Sequence, residues 1–148
     1  MPKTNLTPTG LKISDFEDTS LLIVDDDDPF RDRLSRAMQK KGFQVKDAKT
    51  VDIAIKMIEE RAPNFAVVDL RIEGGNGLDV VKAVNRAKKD SRIIMLTGYG
   101  NLPTAVAAIK AGAIDYMSKP VDADDVEAAL LADPNSRAKP PENPMSAD

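Results

Sequence analysis

Three carboxylates, a hydroxyl and an amine stand at the ends of apolar or mixed runs in this chain. Asp25 and Asp26 follow Leu21–Val24, Asp69 closes Phe65–Val68, Thr97 follows Ile93–Leu96, and Lys119 comes just after Ile114–Met117. There is no His and no Cys anywhere in the sequence. That removes imidazole bases, Ser-His-Asp triads, thiol nucleophiles, disulfides and His- or Cys-ligated metals. Carboxylate, hydroxyl and amine chemistry remains. Crowded carboxylates repel one another unless a counter-charge joins them, and a hard divalent cation with oxygen ligands is the natural one. Mg²⁺ held by carboxylates, water and a phosphate fits that donor set, with the Lys amine and the Thr hydroxyl left to face phosphate oxygens. Each residue alone is unremarkable, since an Asp after a strand usually caps a helix or sits in a solvated loop. Their joint placement carries the information.

That placement depends on the elements between them. The chain has 148 residues, 42% hydrophobic and 30% charged, which predicts a packed domain with tails rather than a disordered chain. Aromatics are only 4% and Trp is absent, so the core must come from Val, Ile, Leu, Ala and Met. No apolar run approaches a membrane span, and the first ten residues hold no signal-peptide core, so a cytoplasmic protein without membrane contact is expected. A net charge of −3 argues against this chain gripping nucleic acid by itself.

Residues 1–18 read as an N-terminal extension and 132–148, with four prolines, as a Pro-rich linker or tail. Residues 19–131 alternate apolar runs with helical patterns, as a parallel α/β sheet does. Leu21–Val24, Phe65–Val68 and Ile93–Leu96 suit central strands covered on both faces. Phe43–Lys46 and Ile114–Met117 alternate and suit the edges. Right-handed crossovers then favour the order 2-1-3-4-5, a flavodoxin-like doubly wound sheet with helices on both faces. Helix starts are expected at Asp28 (capping, with Pro29 first), Asn76, Pro103 and Asp122. The apolar stripes are Phe30, Leu34, Ala37 and Met38; Val51, Ala54, Ile55 and Ile58; Leu78, Val81 and Val84; and Ala105, Ala108 and Ile109. Val121 and Val126 are spaced as a hydrophobic staple on the last helix. All five polar residues then fall at the carboxyl ends of the strands, where such sheets bind ligands.

The segments LLIVDDDD, VVDLR, LTGYG and DYMSKP, in this order and spacing, resemble response-regulator receiver domains of two-component systems over about 110 residues. The resemblance implies a CheY-like fold and an aspartyl phosphate on Asp69. Mg²⁺ would lie between Asp25, Asp26, Asp69 and the backbone carbonyl of Arg71. It implies Lys119 and Thr97 as phosphoryl contacts, Thr97 and Tyr116 as a switch pair, and a cis Lys119–Pro120 bond. It also implies a sensor histidine kinase acting in trans, a possible homodimer through helix four, strand five and helix five, and no turnover beyond self-phosphorylation and slow autodephosphorylation. VVDLRIEGGNGLDVV, LTGYGNLPTAVAAIKAGAIDYMSKP and DADDVEAALL are most similar to the RegA/ActR/PrrA group of redox-responsive transcriptional regulators. That group carries a Fis-type helix-turn-helix after a Pro-rich linker. Nothing in 132–148 could form one, so DNA contact is expected only through an effector domain missing from this chain. The loop RIEGGNG lacks a Pro many receivers carry, which leaves its conformation open.

Competing motifs fail on single residues. A haloacid-dehalogenase-type Asp motif would need Thr or Val at Pro29, an EF-hand would need Gly at Phe30, and a dinucleotide fingerprint would need Gly at Pro103. The remaining alternative is a pseudo-receiver that binds proteins without phosphorylation.

Overall fold

The structure is a computed structural model that describes residues 11–72, 74–98 and 102–132. In chain order the elements are β1 (Ser20–Val24), α1 (Asp28–Lys40), β2 (Gln44–Ala48), α2 (Val51–Glu60) and β3 (Phe65–Asp69). There follow β4 (Arg71–Ile72), β5 (Gly75–Asn76), α3 (Gly77–Ala87), β6 (Arg92–Thr97), α4 (Leu102–Ala111), β7 (Asp115–Ser118) and α5 (Ala123–Leu130). Five strands form one parallel sheet in the order β2-β1-β3-β6-β7. With the small β4–β5 ribbon set aside, this is the expected order 2-1-3-4-5.

Hydrophobic periodicity explains the layers. Residues of β1, β3 and β6 are apolar on both faces, so each face must be covered by helices. Leu22, Val24, Ala66, Val68, Ile93 and Met95 pack against α2, α3 and Ala108 of α4. Leu21, Ile23, Phe65, Val67, Ile94 and Leu96 face α1 and α5. Complete burial of such side chains contributes roughly 1.5–3 kcal/mol each relative to exposure. The edge strands β2 and β7 alternate in burial, as their sequences predicted. The Val121–Val126 pairing also joins the core.

Several details differ from the sequence reading. β2 begins one residue later than expected, at Gln44, because the Phe43 N–H is used by the Met38 carbonyl at the end of α1. β7 is likewise shifted by one residue to Asp115–Ser118. Asp27, not Asp28, caps α1: its backbone is extended and its carboxylate accepts the Phe30 N–H at 3.1 Å. Asp28 is then the first helical residue and pairs with Arg31 at 2.8 Å. Ile109 does not join the buried face of α4; it is exposed, because α4 lies toward the β7 edge and touches the core through Ala105 and Ala108. Asn76 and Asp122 do cap α3 and α5.

The segment 11–18 was read with the N-terminal extension, yet it packs on the domain. It forms a 3-10 turn at Ile13–Asp15, and Leu11, Ile13 and Phe16 contact the core. The Phe16 ring meets Phe65 edge-on at 5.1 Å. The Arg92 guanidinium lies 5.3 Å from the Phe16 ring centre and donates to the Leu130 and Ala132 carbonyls, while the Leu11 N–H reaches the Leu131 carbonyl. The expected 132–148 tail lies outside the described residues beyond Ala132.

Candidate functional site

β1 ends at Val24, where the sheet gives way to the loop before α1, and Asp25 is the first residue past it. Its carboxylate is completely buried. Oδ1 accepts the Asp27 N–H at 2.9 Å. Oδ2 lies 2.8 Å from the Lys119 ammonium but takes no aligned hydrogen bond. A carboxylate buried this completely is costly without counter-charge, which the Lys119 ammonium supplies here.

Asp69 ends β3, in register with Leu96 of β6, and is buried with 7% of its surface exposed. Its Oδ2 receives Lys119 Nζ at 3.3 Å. Burial, and then the negative charge of Asp25, push its pKa up to about 6; the ammonium of Lys119 and the Arg71 N–H pull the other way without cancelling them. The ammonium itself is opposed by burial, but the Asp25 and Asp69 carboxylates outweigh this and hold its pKa above the ordinary lysine value. Lys119 also lies 4.5 Å from the centre of the Phe30 ring, which supports the cation from the α1 side.

One ligand oxygen each from Asp25, Asp26 and Asp69 lies within 4.8 Å of the others, with Asp26 at the solvent side. Three hard oxygen donors at this spacing fit a hard divalent cation and would not suit a soft one. Thr97 ends β6, is buried, and sits across from Ser118. Its carbonyl accepts the Lys119 N–H at 2.8 Å, so strand pairing sets where Lys119 leaves the sheet. The Lys119–Pro120 bond is cis, as expected. Arg71 is exposed at the start of the ribbon. Tyr116 is 39% exposed on edge strand β7. Asp25, Asp26, Asp69 and Lys119 are thus brought together, with Thr97 and Arg71 on the adjoining backbone and Tyr116 outside the pocket.

Two contributors escaped sequence reasoning. A Cβ on Gly77 would collide with the Asp69 carbonyl oxygen and lie 2.9 Å from Leu70 Cα, so only glycine lets α3 start this close to the acidic residue. The run GGNG a few residues past a buried strand was the available signal. The same run explains the loop left open above: Ile72 pairs with Gly75, and Gly74 and Gly75 adopt φ of 89° and 150°. Arg31 is the second, and its signal was a basic residue one helical turn past the acidic run.

A parallel sheet with acidic residues gathered at its carboxyl edge, and an amine reaching them from just past the last strand, defines a doubly wound α/β domain with a cation-ready pocket. The chain belongs to the response regulator receiver domain family, which matches residues 21–131, and is the receiver domain of a two-component response regulator rather than a classical enzyme. Among curated relatives it is 58% identical to the photosynthetic apparatus regulatory protein RegA of Rhodovulum sulfidophilum, over 89% of this chain and 72% of that one. It is 55% identical to the acid tolerance regulatory protein ActR of Rhizobium meliloti, over 88% and 68%. Among solved structures it matches a Burkholderia pseudomallei response regulator with a phosphorylated aspartic acid and a calcium ion, at TM-score 0.74 and 34% identity, covering 80% of this chain and 69% of that one. The beryllofluoride-activated NtrC4 receiver domain dimer matches at TM-score 0.70 and 30% identity, covering 76% and 93%. Receiver domains of this family pair with histidine kinases. Among the described residues, no helix is long and apolar enough to cross a membrane.

Proposed function

We propose that Asp69 is the phosphoacceptor and that this chain carries the input step of a transcriptional regulator working in the cytoplasm. The observation that carries this reading is the convergence of Asp25, Asp26 and Asp69 on one point with Lys119 against them. A carboxylate oxygen of Asp69 attacks phosphorus on a phospho-His of a sensor kinase. The new O–P bond forms as the P–N bond breaks, and the imidazole leaves to take up a proton. Asp25, Asp26, Asp69 and the Arg71 carbonyl would hold Mg²⁺, which would supply positive charge against the transferred group. Lys119 and Thr97 meet the phosphoryl oxygens from the opposite side, supplying positioning and charge rather than bond chemistry. The chain acts only as acceptor and slow autophosphatase. Output passes to a DNA-binding effector domain. A phosphoryl acceptor for the Thr97 hydroxyl draws it inward, Tyr116 turns from the surface into the space behind, and the face of α4, β7 and α5 changes shape. Val106, Ile109 and Tyr116 expose apolar surface on α4 and β7, which suits that face to homodimer formation.

Acetyl phosphate with Mg²⁺ should add one phosphoryl group by intact mass. Asp69→Asn should abolish it; equal labelling of that variant, or no labelling of the native chain, would overturn the reading in favour of a phosphorylation-independent binding module.

A further inference from the structure

Arg31 is largely buried beside the acidic pocket. On the first turns of α1, Nη1 donates to the Asp25 carbonyl at 2.9 Å, Nη2 pairs with Asp28 at 2.8 Å, and Nε faces Asp47 on β2 at 3.6 Å. Asp47 is itself held by the Ser35 hydroxyl at 3.1 Å. One guanidinium therefore ties the β1–α1 turn, the start of α1 and the edge strand β2 together. A planar fork of fixed donors can do this, and a lysine cannot.

From this geometry we propose that Arg31 is a positioning residue for the acidic pocket: by fixing the Asp25 backbone it keeps the carboxylates of Asp25 and Asp26 aimed at one point. The assignment rests on the reading of that pocket as a cation site. The turn needs such support, because the Asp25 carboxylate is already committed to the Asp27 N–H and four successive aspartates repel one another. Charge alone predicts the opposite outcome. A cation beside an anionic pocket opposes binding of a second cation, so removing it would tighten Mg²⁺ binding if Arg31 acted only through its field. Groups that orient ligands from behind instead lose affinity when removed, by about tenfold or more.

Mg²⁺ titration by calorimetry of the native chain, Arg31→Met and Arg31→Lys separates the two. Positioning predicts that both variants bind about tenfold more weakly. It also predicts faster hydrogen exchange at the Asp27 amide in metal-free protein, with β1 amides unchanged as the control for an intact fold. Unchanged or tighter binding by Arg31→Met, or a native exchange rate at Asp27 in both variants, overturns the proposal. A native chain that binds no Mg²⁺ defeats the cation reading instead, and the Asp27 amide still decides whether Arg31 orders the turn.

Discussion

Under the proposed chemistry Asp69 carries two demands that conflict: it must be buried enough to be shaped by its neighbours and ionised enough to attack. Its pKa near 6 records the conflict. Because this folded value lies above the ordinary 3.8, the native state keeps a proton that the unfolded chain has already given up between those limits. The contribution of this residue to stability is therefore whole below about pH 4 and is lost as pH rises through 6. In EDTA, Asp69→Asn should melt higher than the native protein at pH 7, with the gain vanishing near pH 4. Thermal melts across that range check it, and a constant difference would contradict the burial argument. At the same scale, the carboxylates of the run DDDD have separate tasks. Asp26→Ala should weaken Mg²⁺ binding far more than Asp27→Ala or Asp28→Ala, since of these three only Asp26 joins the converging oxygens. Parallel Mg²⁺ titrations decide it.

At the level of elements, Asp27 is a structural residue inside a functional run. Asp27→Ala should cost about 1 kcal/mol of stability through the lost cap, and Asp28→Ala less, measured by urea denaturation. The sequence could not place this cap, because four successive aspartates offer the same chemistry and only the turn geometry selects one. Gly77→Ala should cost roughly 1–3 kcal/mol by forcing α3 away from Asp69, whereas Gly98→Ala, with open space around its Cβ, should stay within about 0.5 kcal/mol. Denaturation midpoints of the two variants compare them directly. Strands β1, β3 and β6 were legible because each is an unbroken apolar run, and the caps at Asn76 and Asp122 because Asn76 directly precedes an apolar stripe and the Val121–Val126 spacing brackets Asp122. Ile109 misled because small alanines, not the larger residue, face the sheet. The convergence of Asp25, Asp69 and Lys119 was legible from their joint placement at strand ends. Arg31 and Gly77 were not, since their roles lie in contacts to backbone that no side-chain pattern encodes.

Across the whole molecule, β6–β7 pairing sets Thr97 opposite Ser118 and Met95 opposite Tyr116, and the proposed switch would run from the pocket to the α4–β7 face along it. Beryllofluoride should shift the chain from monomer toward dimer in sedimentation, with a changed Tyr116 signal by NMR. Such a ligand moves the equilibrium only by binding one shape better than the other, so both shapes must exist beforehand. No change in either measurement would separate the pocket from that face.

At the opposite end of the sheet, the Phe16–Arg92 stack brings the first described residues and the last ones onto the same guanidinium. The family match begins at Leu21 and leaves Phe16 out. A fragment trimmed to that boundary would keep every acidic residue intact, yet it would uncover the flank of Phe65 and strip the aromatic lid from Arg92. Its weakness would then lie at the seam where the chain enters and leaves the domain, far from the chemistry.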